Sequence, residues 1–254
     1  MTGRRRLIRL VTAAGAAVGL SISAPVTAQD EAPPAVLLIL DGSGSMNAAD
    51  DSGRPLIDLA KEALTSIVRV LPAGGVDVGL RVYGHRTPDT DQAVGCADSE
   101  LVVPVEPLEP DRMTQAIDAV SPSGFTPIGL SLTEAGDDLA GRDNATVILV
   151  SDGEDTCAPP DPCEVAADLA ARGITVNTVG FYLDDGSAAR DQLECIAAAT
   201  GGSYRDADDE ADLAGVVGVL LSEVPGVGNF HIPFDGATDP TNAPLVPITL
   251  GDES

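Results

Sequence analysis

The sequence is poor in aromatic and basic residues. Its 254 residues include no tryptophan, three tyrosines, four phenylalanines and two histidines, and Lys61 is the only lysine. With 14 basic against 40 acidic side chains, the formal net charge is −26 at pH 7. Because a negative surface repels phosphate groups, nucleic acids and anionic lipids are poor partners for this chain.

No apolar run is long enough to cross a bilayer, and the run nearest the amino terminus has the features of an export signal. The stretch Leu10–Leu20 follows the arginine-rich segment 4–9, which is the layout of an export signal. The arginine run resembles a twin-arginine signal, an ordinary Sec signal being the alternative, and Val26-Thr27-Ala28 offers a cleavage site. We predict a signal over residues 1–28 and a periplasmic or extracellular protein. Its removal leaves 10 basic against 40 acidic side chains, a formal charge of −30.

Apolar runs of four to eight residues alternate with helical patterns along the rest of the chain. Runs of this length are typical of strands covered on both faces, and they occupy Ala35–Leu40, Val76–Tyr83, Ala145–Val150 and Ile174–Phe181. Apolar positions at helical spacing occur over 56–71, 128–139, 165–171, 193–199 and 213–221. Strand and helix in alternation predict an α/β fold, a doubly wound and mostly parallel sheet with helices on both faces.

Two segments depart from this alternation. Glu100–Val105 follows a strand without a helix between them and is bounded by proline, which predicts an antiparallel edge strand. The Pro/Gly-rich tail 225–254 has one apolar run, Leu245–Leu250, and contains His231, which we expect to be inert. The predicted organisation is therefore a signal, a linker over 29–34, one domain over 35–224 and the tail.

Three segments place oxygen-bearing side chains directly after predicted strands or before a predicted helix. Asp41-Gly42-Ser43-Gly44-Ser45 follows the first strand, Thr126-Pro127 opens a helix, and Ser151-Asp152-Gly153 ends a later strand. In an open parallel sheet, the loops beyond the carboxyl ends of the strands collect ligand chemistry. Carboxylates and hydroxyls are ligands for hard cations, although the same residue types also serve as turn and capping residues.

Together these segments resemble the metal-ion-dependent adhesion site of von Willebrand factor type A domains, the integrin inserted-domain-like fold. The resemblance covers about residues 35–224 and includes motifs typical of a bacterial, secreted branch, such as Tyr83-Gly84-His85. It implies a six-stranded sheet of order 3-2-1-4-5-6 with strand 3 as the antiparallel edge. It also implies that Ser43 and Ser45 bind a metal directly and Thr126 directly or through water, with Asp41 and Asp152 acting partly through water.

The ligand set predicts both the cation and the partner. Hydroxyl and carboxylate oxygens suit Mg²⁺ or Mn²⁺, with Ca²⁺ as an alternative, whereas zinc prefers cysteine and histidine. A dication that these ligands neutralise incompletely attracts an acidic oxygen. We therefore expect a binding protein, and not an enzyme, whose protein partner supplies an Asp or Glu. The oligomeric state is not predicted.

Four cysteines, Cys96, Cys157, Cys163 and Cys195, form an even set in a chain with an export signal, which favours two disulfides. The strand order implied by the resemblance places Cys96 and Cys195 too far apart to bond. Cys96 then pairs with Cys157 or Cys163, and Cys195 with the other. Our hypothesis is Cys96–Cys157 and Cys163–Cys195.

Two other functions compete with metal-dependent binding. A metal-dependent hydrolase could use Asp41 as a nucleophile, but the chain has no Gly-x-Ser-x-Gly elbow and no phosphate-cradling lysine loop. A metal-independent scaffold subunit of an envelope complex would bind through a helix face or the tail. His85 is expected to be structural, and Glu154 and Asp155 are expected to form a solvated acidic loop.

The signal predicts where the exported protein begins. If residues 1–28 are removed, intact-mass measurement of protein recovered outside the cytoplasm should correspond to a chain starting at Gln29. Because cleavage requires a small residue before the cut, Ala28→Lys should leave the signal attached. Recovery of an exported wild-type protein that retains segment 4–9 would contradict the prediction.

Overall fold

The structure is a computed structural model that describes residues 32–72 and 74–227. The predicted signal 1–28, His231 and the possible strand Leu245–Leu250 lie outside these residues. In the part of the chain that is described, no helix is long and apolar enough to span a membrane.

Six strands form one sheet in the order β3-β2-β1-β4-β5-β6. Every neighbouring pair is parallel except β2 and β3, which are antiparallel. The predicted fold class, strand order and antiparallel edge strand are therefore confirmed. The strands are β1 (Ala35–Asp41), β2 (Asp77–Tyr83), β3 (Ser99–Pro107), β4 (Ala145–Ser151), β5 (Thr175–Phe181) and β6 (Tyr204–Ala207).

In the described residues, seven α-helices accompany this sheet: α1 (Leu56–Val70), α2 (Gln92–Gly95), α3 (Pro110–Asp118), α4 (Ile128–Asp138), α5 (Pro162–Ala171), α6 (Ala188–Thr200) and α7 (Glu210–Ser222). Alternate residues of β1 contact the two layers. Leu38 packs in a core with α1, α3 and α7, and Leu37 packs in a second core with α4, α5 and α6. Both faces of the sheet are covered, which explains why the central strands are apolar without alternation.

The short elements α2, α3 and β6 have no apolar pattern in the sequence that locates them, although the resemblance implied a sixth strand. Helix α2 is a single turn, capped by the Asp91 carboxylate, which accepts from the backbone N–H groups of Ala93 and Val94. Helix α3 buries Met113 and Ile117 at i and i+4 but few other apolar side chains. Strand β6 has four residues, of which only Ala207 is buried. Each element is too short or too polar to produce a clear periodicity.

The four cysteines form two disulfides with the pairing of our hypothesis. Cys96, directly after α2, bonds to Cys157 in the loop that follows β4. Cys163 in α5 bonds to Cys195 in α6. The first disulfide therefore connects two loops, whereas the second connects two helices on one face of the sheet.

An ion pair anchors α4 to strand β2. Arg81 has 6% of its side chain exposed and Asp138 has 12%, and the Arg81 guanidinium donates to Asp138 Oδ2 at 2.8 and 2.7 Å. Burial raises the pKa of Asp138 above its ordinary value and outweighs the lowering effect of Arg81. This pair fixes α4, the helix that begins two residues after Thr126.

We expect Arg81→Ala to destabilise the fold by about 3–5 kcal/mol, because it leaves the Asp138 carboxylate buried without its partner. Urea unfolding of the exported form measures this loss. Arg112→Ala is the matched control, since Arg112 and Glu106 form an ion pair with side chains 45% and 41% exposed, and its loss should cost less than about 1 kcal/mol. Equal losses for the two variants would show that the Arg81 pair is not structurally important.

Candidate functional site

The loop after β1 brings two hydroxyls and one carboxylate together. The backbone N–H of Ser43 donates to Asp41 Oδ1 at 2.7 Å, and the hydroxyls of Ser43 and Ser45 lie 2.9 Å apart. A 3₁₀ turn over Gly44–Asn47 carries Ser45, and Met46 within it is fully buried. Because Met46 anchors the turn in the core, Ser45 is held at the surface with its hydroxyl beside that of Ser43.

Asp152 joins this group from the neighbouring strand. Strand β4 is paired with β1, and Asp152, directly after β4, accepts a hydrogen bond from the Ser45 hydroxyl at 2.7 Å. Burial, followed by the negative charge of Asp41, raises the pKa of Asp152 to about 7. The two carboxylates are therefore close enough to repel each other in a partly desolvated setting.

Thr126 lies on a third segment, which is bonded to the Ser43 loop through the backbone of Gly124. Gly124, two residues before it, forms a parallel bridge with Ser43, and the Gly44 N–H donates to the Gly124 carbonyl at 2.9 Å. Thr126 is 5% exposed. All five predicted residues therefore lie at the carboxyl edge of the parallel strands, with Asp41, Ser43 and Thr126 buried and Ser45 exposed.

Two residues outside the predicted ligand set hold the Asp41 carboxylate. Tyr83 and Ser151, both buried, donate from their hydroxyls to Asp41 Oδ2 at 2.9 and 2.6 Å. With Ser43 on the other oxygen, three hydrogen bonds fix this carboxylate. Burial, and then the charge of Asp41, raises the pKa of Tyr83 well above its ordinary value. In the sequence, this role of Tyr83 and Ser151 is indicated only by their positions at the ends of apolar strands.

Close packing of backbone segments under the site requires glycine at one position in particular. Gly84 has φ of +67°, and an added Cβ there would collide with the Phe125 carbonyl oxygen and crowd the backbone of Ser43. Its carbonyl accepts from the Gly124 N–H at 2.7 Å. Gly84 therefore allows the loop after β2 to lie against both the Ser43 and the Thr126 segments.

The loop after Asp152 supports Thr126. The Thr126 N–H donates to the Thr156 hydroxyl at 3.0 Å, and the Thr156 N–H donates to the Thr126 carbonyl at 3.1 Å. The Asp155 carboxylate accepts from the Gly129 N–H in the first turn of α4 at 2.7 Å. The expectation that Asp155 belongs to a solvated acidic loop is therefore wrong, because it caps a helix, whereas Glu154 is exposed.

His85 lies beside the site and pairs with another residue. Its Nε2 is 3.3 Å from Glu100 Oε2 on β3, and burial lowers its pKa. This contact agrees with the structural role predicted for His85.

The donor atoms suit a hard dication. In residues 32–72 and 74–227 no three His, Cys, Asp or Glu side chains are grouped to hold a metal, so hydroxyls must complete any ligand set here. Of the ion pairs in this part of the chain, none includes Asp41 or Asp152. Two close carboxylates without a basic partner among these residues, next to the buried Ser43 hydroxyl and the exposed Ser45 hydroxyl, are an arrangement that a bound Mg²⁺ or Mn²⁺ would stabilise.

The fold and this edge define a class, the open parallel-sheet domains with an oxygen-rich site at the strand ends. The family model for the von Willebrand factor type A domain matches residues 35–218. The chain therefore belongs to the von Willebrand factor type A domain family.

Relatives and solved structures agree with this assignment. The chain is 30% identical over 197 residues to the uncharacterized protein YwmD of Bacillus subtilis, which is 74% of this chain and 86% of that protein. A von Willebrand factor type A structure from Catenulispora acidiphila has a TM-score of 0.58 at 23% identity, covering 72% of this chain and 41% of that chain. The pilus adhesin SpaC of Lactobacillus rhamnosus GG has a TM-score of 0.60 at 15% identity, covering 78% and 31%.

Tyr83→Phe should destabilise the protein by about 1–3 kcal/mol, because it removes a hydrogen bond from a buried carboxylate. Urea unfolding in the presence of EDTA isolates this effect from cation binding. Tyr204→Phe is the control, because it removes a hydroxyl that bonds Asp206 at an exposed position and should cost less than about 1 kcal/mol. A Tyr83→Phe loss no larger than that of the control would mean that the Asp41 carboxylate does not need this donor.

Proposed function

We propose that this chain is an exported, divalent-metal-dependent protein-binding domain that captures an acidic group of a partner at the cell envelope. The observation that carries the proposal is the hydrogen-bonded series Ser43, Ser45 and Asp152, which runs from the buried Asp41 and Ser43 to the exposed Ser45. Membership of the von Willebrand factor type A family supports a role in protein interaction. The fold similarity to SpaC, described as a pilus adhesin, is in keeping with that role.

In this proposal Ser43 and Ser45 bind the cation directly, and Thr126 binds it directly or through water. Asp41 acts by orientation, because both of its oxygens already accept hydrogen bonds from Ser43, Tyr83 and Ser151. Asp152 orients the Ser45 hydroxyl. Mg²⁺ or Mn²⁺ suits these oxygens best, and Ca²⁺ is the alternative. When bound, the cation supplies a positive charge that five oxygen-bearing residues neutralise incompletely.

The exposure of the site determines where the partner approaches. Ser45 is exposed and Asp152 partly so, whereas Asp41 and Ser43 are at most 1% exposed. A partner can therefore reach the site only from the Ser45 and Asp152 side. An Asp or Glu carboxylate of a protein partner fits this role because it is attracted to the cation, while nucleic acid is disfavoured by the net charge of −26.

The same burial argues against hydrolysis. A nucleophilic aspartate needs one carboxylate oxygen free to attack a substrate. Asp41 is 0% exposed and hydrogen-bonded at both oxygens, so it cannot approach a phosphate. We therefore favour binding over catalysis.

An oxidising compartment is consistent with this function. The two disulfides together contain all four cysteines of the chain. Cysteines paired in disulfides are usual in proteins outside the cytoplasm. Together with the predicted signal, this supports export to the periplasm or the cell exterior, as in a bacterial secreted branch of the family.

Thermal unfolding in EDTA, Mg²⁺, Mn²⁺ and Ca²⁺ tests the cation site. A ligand that binds only the folded state at tenfold its Kd stabilises by about 1.4 kcal/mol, which is roughly 3–6 °C for a domain of this size. We expect such a shift with Mg²⁺ or Mn²⁺, its loss in Asp152→Ala and its retention in Glu154→Ala, the exposed neighbour. No shift with any cation at millimolar excess would contradict the proposal and favour the metal-independent scaffold.

The partner class can be tested with displayed random peptides. In Mn²⁺ we expect selection of peptides that share an Asp or Glu, and loss of their binding in EDTA and in Asp152→Ala. Peptides that bind equally well in EDTA would indicate a surface other than this site.

A further inference from the structure

The segment Asp155-Thr156-Cys157, here called the support segment, connects the Thr126 loop with the rest of the site. Thr156 makes two hydrogen bonds with the Thr126 backbone, one through its hydroxyl and one through its N–H. Asp155 accepts from Gly129 N–H, and its own N–H donates to the Gln192 side chain of α6 at 2.7 Å. The position of Thr126 therefore depends on the loop that follows β4, a distant part of the chain.

Helix α2 and the residue after it also hold the support segment. The Gln92 side-chain amide donates to the Thr156 carbonyl at 3.1 Å, and Cys96 is bonded to Cys157 with Cα atoms 5.4 Å apart. Helix α2 also packs on Phe125, because an added Cβ at Gly95 would collide with the Phe125 ring. Phe125 thus contacts α2, Thr126 contacts the support segment, and the disulfide links these two supports.

This arrangement matters because α2 is too short to hold itself in place. A single helical turn is marginal in isolation, and the support segment is an irregular loop. A covalent link restricts the conformations that such loops can adopt when the rest of the domain is folded. A cation binds more tightly to ligands that surrounding groups already hold in position.

We propose that the Thr156 hydroxyl and the Cys96–Cys157 disulfide are positioning elements for Thr126, so that the cation affinity of the site depends on both. This inference rests on the proposed function, because it concerns the same cation site. The second disulfide, Cys163–Cys195, joins α5 to α6 and lies outside the support segment.

The disulfide is also within reach of solvent. Cys96 and Cys157 line a cleft of about 260 Å³ together with residues such as Leu130 and Pro160. A dithiol reductant that enters this cleft delivers two electrons and two protons, which gives two protein thiols and converts the dithiol to its own disulfide. Cation affinity therefore falls when this bond is reduced.

Titration calorimetry with Mn²⁺ on Thr156 variants tests the hydroxyl. Thr156→Val keeps the shape but removes the acceptor of the Thr126 N–H, so we expect Mn²⁺ to bind roughly three- to tenfold more weakly. Thr156→Ser keeps the acceptor and should restore the wild-type Kd to within about twofold. If Thr156 were merely structural, Thr156→Val would lower the melting temperature in EDTA without changing the Kd, and that result would overturn the inference.

The disulfide is tested in the Cys163→Ser/Cys195→Ser variant, where Cys96–Cys157 is the only remaining pair. Mn²⁺ affinity is measured before and after dithiothreitol reduction and desalting, and again after reoxidation. We expect the oxidised variant to match wild type, the reduced form to bind more weakly, and reoxidation to restore binding. Equal Kd values in the two states would overturn the inference while leaving the cation site intact. Absence of Mn²⁺ binding by the wild type would overturn the proposed function itself.

Discussion

The buried Asp41 carboxylate is the interaction on which the rest of the site depends. A charge removed from water is costly unless hydrogen bonds replace its hydration. Asp41 receives those bonds from Ser43, Tyr83 and Ser151. Tyr83 ends the neighbouring strand β2 and is the register partner of Asp41. Ser151 ends β4, the neighbour of β1 on its other side. Because β1 lies between β2 and β4, Tyr83 and Ser151 both reach the Asp41 carboxylate. The strand order therefore contributes to the stability of this buried charge.

The charges at the same edge of the sheet support the proposed cation. Several arginines are paired with acidic side chains, Arg54 with Glu62 and Glu210, and Arg86 with Asp98. Arg190 is likewise paired with acidic residues. In the part of the chain that the structure describes, no ion pair includes Asp41 or Asp152. Burial and the negative charge of Asp41 raise the pKa of Asp152, and a bound cation would relieve the repulsion between the two carboxylates.

The site combines a rigid base with loops that support one another. Ser43 and Asp152 follow directly from paired strands, so the sheet itself places them. Thr126 has no strand beneath it and depends on Gly84, Thr156 and the loops around them. The similarity to solved structures at 15–23% identity concerns the sheet, whereas the cross-linked support of Thr126 follows from the contacts of this chain.

The sequence by itself determined the features that short segments encode. The uniformly apolar strands predicted a sheet covered on both faces, and the prolines at the end of Glu100–Val105 predicted an edge strand. The oxygen-bearing residues after the strand ends predicted the candidate site. The strand order came from family resemblance, not from periodicity. Tertiary structure alone decided that Tyr83 and Ser151 bind Asp41 and that Asp155 and Thr156 hold the Thr126 segment. Those partners are separated by between 26 and 110 positions, and hydrogen bonds over such separations depend on how strands are ordered and packed, which no local pattern records.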